Sequence, residues 1–298
     1  MNSRCLFVLV WLSSVLASGA AETKVASRLG DLFFAPLTNA PFPHASRKLG
    51  YQYDNTTYEE TNHYSDSRTG FFIPKGFRAG TNVDVVVHFH GWRAKVEEVP
   101  GKFQLLEQFA ASRRNAILIL PQGPRNAPDS SGGKLEDAGG FARFLDEALA
   151  TLRAHTGWSN VTPGRVVLSG HSGGYRVIAS ILDDTSAPRV DEVYLFDALY
   201  GQGESFLRFL EGRTESRMVV VYTKDGGTLK ETQKFIRALR EKKIAALVRE
   251  ENGLKPRDLH GQRAYVLFSD LSHNEVLYGQ QEFRDYLSTG GLEDILPK

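Results

Sequence analysis

The sequence predicts an α/β fold with a mostly parallel sheet and helices on both faces. Seven short apolar runs rich in β-branched residues are typical of strands buried on both faces. Helical patterns lie between most of these runs, so strands and helices alternate along the chain. The predicted strands are GFFIP (70–74), DVVVHFHG (84–91), NAILILPQG (115–123), RVVLSGHSGG (165–174), VDEVYLFDALYG (190–201), RMVVVYTKDGG (217–227) and AYVLFSD (264–270). The predicted helices are FQLLEQFAAS, FARFLDEALATLRAHT, YRVIASIL, SFLRFLEG, LKETQKFIRALREKK and QEFRDYLS.

The composition is that of one globular domain with a sizeable core. The chain has 298 residues, 41% of them hydrophobic, and contains no internal repeat. Its formal net charge is +1, and acidic and basic residues are interleaved. No basic surface for nucleic acid or anionic lipid can be read from this charge balance, so we expect no nucleic-acid partner and a neutral substrate.

Residues 1–21 have the pattern of a secretory signal peptide. Arg4 precedes the apolar run CLFVLVWLSSVL, and the small residues ASGAA follow it. The run is too short to span a membrane, although a buried N-terminal strand or helix is an alternative. We expect cleavage between Gly19 and Glu22, a secreted or periplasmic protein, and no stable membrane anchor afterwards. Because Cys5 is the only cysteine, the mature chain would lack disulfides and cysteine-ligated metal.

Two segments have little periodicity. Residues 22–66 are rich in Pro, Asn, Ser, Thr and Tyr, and are predicted to form an N-terminal arm that wraps a catalytic domain at 67–298. The irregular insert PRNAPDSSGGKLEDAGG (124–140) follows a strand end, where substrate loops of such sheets lie. Sequons begin at Asn55 and Asn160.

The strongest functional signal is Gly170-His171-Ser172-Gly173-Gly174, between the apolar run VVLS and the helical run YRVIASIL. A serine on a sharp strand-to-helix turn needs small neighbours, because the strained backbone passes close to adjacent elements. The first amides of the following helix point toward the serine oxygen and stabilise an oxyanion. A simple glycine-rich turn is the alternative, but this context predicts Ser172 as a nucleophile.

From Gly70 to the C-terminus the chain resembles the α/β-hydrolase family in this motif and in three further segments. VVVHFHGW (85–92) is similar to the strand ending in His-Gly whose following loop supplies one oxyanion-hole amide. The resemblance implies that the amides of Gly91 or Trp92 and of Gly173 form the oxyanion hole. LPQGP is similar to a strand end of secreted esterases. AYVLFSDLSHNEV (264–276) implies His273 as the general base, in a loop after the last strand.

The family also requires an acid between the serine and the histidine in chain order. Asp197 in LFDALYG and Asp225 in YTKDGG both qualify, and Asp270 is a less favoured third candidate. The resemblance favours the position of Asp225, although a minority of the family, including several lipases, is similar in taking its acid from the strand that bears Asp197. We prefer Asp197, because it directly ends an apolar run and a buried aspartate needs a partner.

Other polar and aromatic residues are weighed as site residues. His88 and His90 are two apart on one strand, but no carboxylate cluster accompanies them, so we expect no metal and no cofactor. Trp92, Tyr175 and Tyr200 adjoin predicted strand ends and are candidate substrate contacts. His171 is expected to pack at the turn. The histidines interpreted as surface or loop residues are His44, His63, His155 and His260.

These features predict a secreted serine hydrolase that cleaves carboxylic esters through an acyl-enzyme intermediate. The short insert after PQGP leaves no room for a large cap, which favours an open cleft for a small-molecule or polymer-borne ester. A secreted peptidase or amidase would use the same triad and is the main alternative. A catalytically silent binding module of the same fold is a further alternative.

Overall fold

The computed structural model describes residues 22–159 and 161–295. The predicted signal peptide and Asn160, the first residue of the second sequon, lie outside the described residues. The strands are β1 Thr23–Val25, β2 Gly30–Pro36, β3 Tyr51–Tyr53, β4 Thr56–Tyr58, β5 Arg68–Pro74, β6 Asn82–Phe89, β7 Ala116–Pro121, β8 Thr162–His171, β9 Glu192–Phe196, β10 Arg217–Thr223, β11 Ala246–Glu250 and β12 Ala264–Ser269. The helices are α1 Glu60–His63, α2 Val99–Lys102, α3 Leu105–Ser112, α4 Gly140–Thr156, α5 Tyr175–Asp183, α6 Gly203–Glu211, α7 Leu229–Glu241 and α8 Glu282–Ser288.

One ten-stranded sheet forms the centre of the molecule, in the order β1-β2-β5-β7-β6-β8-β9-β10-β12-β11. The seven strands from β7 to β11 in this order are parallel, and β1, β2 and β5 add an antiparallel edge. The predicted α/β fold class is therefore confirmed. β3 and β4 pair separately as a small hairpin.

Side chains alternate between two apolar cores because successive strand residues point to opposite faces. Val85 and Val87 lie in the core beneath α4 to α7, whereas Val86 lies in the core beneath α3 and α8. Helices thus cover both faces, as predicted. Within residues 22–159 and 161–295, no helix is long and apolar enough to cross a membrane.

All seven predicted strands are present, and the structure adds strands that the sequence pattern did not predict. β2 lies within the arm predicted at 22–66, pairs with β5, and buries Phe33 completely. β11 is missed for another reason: its side chains at this sheet edge are half-buried or exposed, so it carries little apolar signal.

The interpretation of His155 as a surface or loop residue is wrong. It lies in α4 with a side chain only 4% exposed, between Glu22 and Asp31 at 2.8 and 2.6 Å. Its ring stacks on Phe33 with a centroid distance of 3.8 Å. Sequence spacing could not reveal these contacts, because their partners come from more than 100 positions away.

Candidate active site

Parallel pairing brings the ends of several strands to one edge of the sheet. β8 and β9 are neighbours and are in register at their last residues, His171 and Phe196. Ser172 and Asp197 are therefore the first residues after these two strands. His273 lies in the loop after β12. In the sheet, β10 lies between β9 and β12. The carboxyl ends of parallel strands meet at the same edge, where such sheets bind ligands.

Ser172 lies on a tight turn between β8 and α5, with φ at 52°. A non-glycine residue in this region is uncommon and strained. The surrounding glycines are required by close packing. A Cβ added to Gly91 would lie 2.7 Å from Ser172 Cβ, and one added to Gly174 would lie 2.6 Å from Phe89 O. Small residues therefore allow β6 and the turn to approach.

His273 Nδ1 lies 2.7 Å from Asp197 Oδ2. Asp197 is fully buried, and its carboxylate also accepts from Thr228 Oγ1 and, at 2.8 Å, from Thr223 Oγ1. Burial raises the pKa of Asp197, but the hydrogen bonds from His273, Thr228 and Thr223 together outweigh it and hold this pKa below its ordinary value. The carboxylate is therefore ionised and oriented toward the imidazole.

The other acid candidates occupy different surroundings. Asp225 lies in the turn after β10, Asp270 follows β12, and both side chains are exposed. The structure brings Asp197, the preferred candidate, into contact with His273. Thr223 and Thr228 were not singled out from the sequence, since short hydroxyl residues at a strand end and before a helix carry no distinctive signal.

The backbone segments predicted to form an oxyanion hole lie together beside Ser172. Gly91 packs against the Ser172 side chain, as described above. A Cβ added to Gly173 would lie 2.8 Å from Trp92 Cδ1 and 2.6 Å from Ser130 Oγ. The Gly91 backbone therefore lies against Ser172, and the Trp92 side chain lies against Gly173.

A cleft of about 180 Å³ opens next to Ser172. Tyr175 and Tyr200 form one wall, with ring centroids 5.9 Å apart. Trp92 is 43% exposed and donates from Nε1 to Ser130 Oγ at 2.8 Å. The full lining is Trp92, Ser130, Ser172, Gly173, Tyr175 and Tyr200. Ser130 was not singled out from the sequence as a site residue. However, the 124–140 insert, which contains Ser130, was predicted to lie where substrate loops are found.

Tyr200 connects the cleft to the Asp197 network. Its hydroxyl donates to Gly226 O. Burial and the charge of Asp197 raise the pKa of Tyr200 to about 12, against a smaller opposing effect of a hydrogen bond with Ser172. The phenol is therefore neutral and is held next to Ser172.

His171 packs at the turn, in agreement with its expected structural position. Its Nε2 donates to His273 O at 2.8 Å, and the two ring centroids are 4.8 Å apart. Burial, followed by the nearby His273, lowers the pKa of His171 to about 3. The neutral ring thereby supports the loop that carries His273.

His88 and His90 have separate partners. His88 Nδ1 contacts Ser169 Oγ at 2.9 Å, and burial lowers the pKa of His88 to about 3. His90 Nε2 accepts from Gly123 N at 2.9 Å. These contacts join β6 to β8 and to the loop after β7.

Comparison of the chain with known proteins finds distant structural similarity. No protein-family model and no curated protein matches the chain. A ferulic acid esterase is 14% identical with a TM-score of 0.49, covering 74% of this chain and 92% of that one. FphF, a fluorophosphonate-binding serine hydrolase of Staphylococcus aureus, is 10% identical with a TM-score of 0.47. The match covers 92% of this chain and 99% of that one. An S-formylglutathione hydrolase from Agrobacterium tumefaciens is 12% identical with a TM-score of 0.43. The match covers 88% of this chain and 95% of that one. By its own strand order and helix placement, this chain has the α/β-hydrolase fold.

Proposed function

We propose that the protein is a serine hydrolase that cleaves carboxylic esters, with Ser172 as nucleophile, His273 as general base and Asp197 as the acid. The observation that carries this proposal is the 2.7 Å contact between His273 Nδ1 and the buried Asp197 carboxylate, at the sheet edge where Ser172 lies on a strained turn. Buried carboxylates orient imidazole rings in this way in serine hydrolases.

In the proposed reaction, His273 Nε2 takes the proton of Ser172 as the serine oxygen bonds to the ester carbonyl carbon. The amides of Gly173 and of Gly91 or Trp92 stabilise the oxyanion. The carbonyl re-forms as the alcohol leaves with the proton from His273. Water then attacks the acyl-enzyme with His273 again as base, which releases the acid and restores Ser172.

Labelling with a fluorophosphonate tests whether the serine is activated. The wild-type chain should be labelled, and Ser172→Ala should not be. His273→Ala should react far more slowly, because the serine hydroxyl then lacks its base. Ser169→Ala is a matched control from the same strand, and its labelling should still occur. Equal labelling of wild type and Ser172→Ala would refute the assignment.

A substrate panel separates the ester reaction from the peptidase or amidase alternative. We expect p-nitrophenyl esters to be turned over with higher kcat/KM than p-nitroanilide peptides, with both activities lost in Ser172→Ala. A preference for the anilides would favour the alternative. Labelling without turnover of either class would contradict the ester assignment.

We further propose export, supported by the order of Arg4, an apolar run and small residues in the first 21 positions. Intact-mass measurement of the protein recovered outside the cytoplasm should give a chain that begins between Ala20 and Glu22. Retention of Met1, or a mass increase that indicates acylated Cys5, would contradict this proposal.

A further inference from the structure

Ser130 provides a hydroxyl in the cleft whose hydrogen has no protein acceptor among the described residues. An indole Nε1–H can only donate, so in the 2.8 Å contact with Trp92 the oxygen of Ser130 is the acceptor. The hydrogen of Ser130 must then point elsewhere. Ser130 lines the cleft together with Ser172, and it is half-buried.

The loop that carries Ser130 is fixed on both sides of this residue. Asp129 is 5% exposed and binds Arg47 Nε and Nη2 at 2.6 and 3.0 Å. Ser131 N donates to Asp129 Oδ1 at 3.0 Å. Trp92 holds the hydroxyl itself. A donor held in this way loses little side-chain entropy when it binds a substrate atom.

The wall formed by Tyr175 and Tyr200 has different chemistry. Tyr200 already donates its hydroxyl hydrogen to Gly226 O. The aromatic rings of Trp92, Tyr175 and Tyr200 otherwise supply flat apolar surfaces. A substrate group in this cleft therefore meets apolar walls and, at Ser130, a preoriented hydrogen-bond donor.

From this geometry we infer that Ser130 is a specificity-determining residue that donates a hydrogen bond to an acceptor oxygen in the ester group occupying the cleft. This inference rests on the proposed esterase function and narrows its substrate class. Esters whose acyl or alcohol group contains an ether, hydroxyl or carbonyl oxygen are preferred over hydrocarbon esters of the same size. A hydrocarbon at this point would leave the hydroxyl of Ser130 buried without an acceptor, which is costly.

Two isosteric substrate pairs test the inference. On the acyl side, 4-nitrophenyl methoxyacetate is compared with 4-nitrophenyl butyrate. On the alcohol side, 2-methoxyethyl acetate is compared with butyl acetate. Each pair exchanges one methylene for oxygen. The readout is the kcat/KM of the oxygen-containing ester divided by the kcat/KM of the hydrocarbon ester. Comparing this ratio between variants cancels the intrinsic reactivity of the substrates.

In Ser130→Ala we expect the ratio to fall about three- to tenfold for at least one pair, the effect of losing one neutral hydrogen bond. Ser130→Thr keeps the hydroxyl and should restore most of the ratio. Trp92→Phe keeps an aromatic wall but removes the indole N–H, so the ratio should fall by a smaller factor. Ser131→Ala is the matched control, since its hydroxyl accepts from Gly133 N, and its ratio should match that of wild type.

The outcomes separate this inference from the proposed function. Ratios for Ser130→Ala within twofold of wild type on both pairs, in a variant that still hydrolyses esters, would overturn the inference alone. Absence of Ser172-dependent ester turnover in the wild-type protein would overturn the proposed function and the inference with it.

Discussion

Asp197 is the residue on which the proposed triad geometry depends most. Its carboxylate receives hydrogen bonds from His273, Thr223 and Thr228 while it is fully shielded from water. Because the Nδ1 side of His273 faces this carboxylate, the other ring nitrogen is left available to take a proton. In the proposed reaction, the charge of the buried carboxylate would also favour the imidazolium form of His273.

Replacing this carboxylate should separate the two acid candidates. We expect Asp197→Asn to lower kcat by about four orders of magnitude, as loss of the orienting acid does in a serine protease. Asp225→Asn should change kcat by less than about twofold, because its side chain is an exposed turn residue. Steady-state ester hydrolysis by the two variants, side by side, checks this. A large loss confined to Asp225→Asn would reverse the assignment.

Gly226 closes the space around the same carboxylate. A Cβ at this position would lie 1.6 Å from Asp197 Oδ2, so Gly226→Ala must displace either the turn or the acid. We expect kcat/KM to fall about a hundredfold or more, since small misplacements of catalytic groups have effects of this size. Gly101→Ala is the control, because its added Cβ meets nothing within 4 Å. Equal activity of the two variants would contradict the prediction.

At the scale of elements, helix α8 begins with a buried carboxyl group. Glu282 is 2% exposed and Glu251 is 5% exposed, and each has one buried oxygen without a hydrogen-bond partner. They share a small cavity with Asp285 and Lys255. Burial, followed by the charge of Glu251, raises the pKa of Glu282 from 4.5 to about 8. Between about pH 4.5 and pH 8, Glu282 is therefore protonated in the folded state and ionised in the unfolded state.

This raised pKa predicts that Glu282 contributes stability that is lost as the pH rises from about 4.5 to about 8. Glu282→Gln cannot ionise, so its stability relative to wild type should increase by on the order of 2 kcal/mol between pH 5.5 and pH 7.5. Urea unfolding at the two pH values measures this difference. Glu241→Gln, exposed at the end of α7, should follow wild type. A relative stability of Glu282→Gln that does not change with pH would refute the raised pKa.

At the scale of the whole molecule, the arm at 22–66 takes part in both the sheet and the site. Its strand β2 extends the sheet beside β5, and Phe33 stacks on Phe71 with a centroid distance of 4.9 Å. Its Arg47 binds Asp129 next to Ser130. Tyr53 packs edge-on against Trp92 at 5.3 Å. The arm therefore stabilises the core and supports one side of the cleft.

Removing the buried ring of the arm should destabilise the whole fold. Phe33→Ala is expected to lower the free energy of unfolding by about 3–5 kcal/mol, the usual cost of truncating a buried phenylalanine. Leu49→Ala is the matched control from the same arm, because Leu49 is 95% exposed, and it should change stability little. Chemical denaturation followed by tryptophan fluorescence gives both values. A loss below about 1 kcal/mol for Phe33→Ala would mean that the arm is not part of the cooperative core.

The alternation of buried strands and helices, readable over short windows, was enough to predict the seven central strands and the α/β class. The turn at Ser172 was equally local, because a serine flanked by glycines between a strand and a helix describes its own geometry. β2 was not predicted, although Phe33 is in the core, because it is a short strand in a segment rich in turn residues and shows little periodicity. β11 was missed because most of its side chains reach solvent.

The sequence by itself determined the fold class, the order of the chemical groups and a short set of acid candidates, since these depend on local pattern and chain order. Only the tertiary structure decided which aspartate meets His273. That contact depends on the register between β8, β9, β10 and β12, which joins residues 76 positions apart. The same holds for Ser130 and Trp92, 38 positions apart, whose hydrogen bond forms because separate loops end at one edge of the sheet.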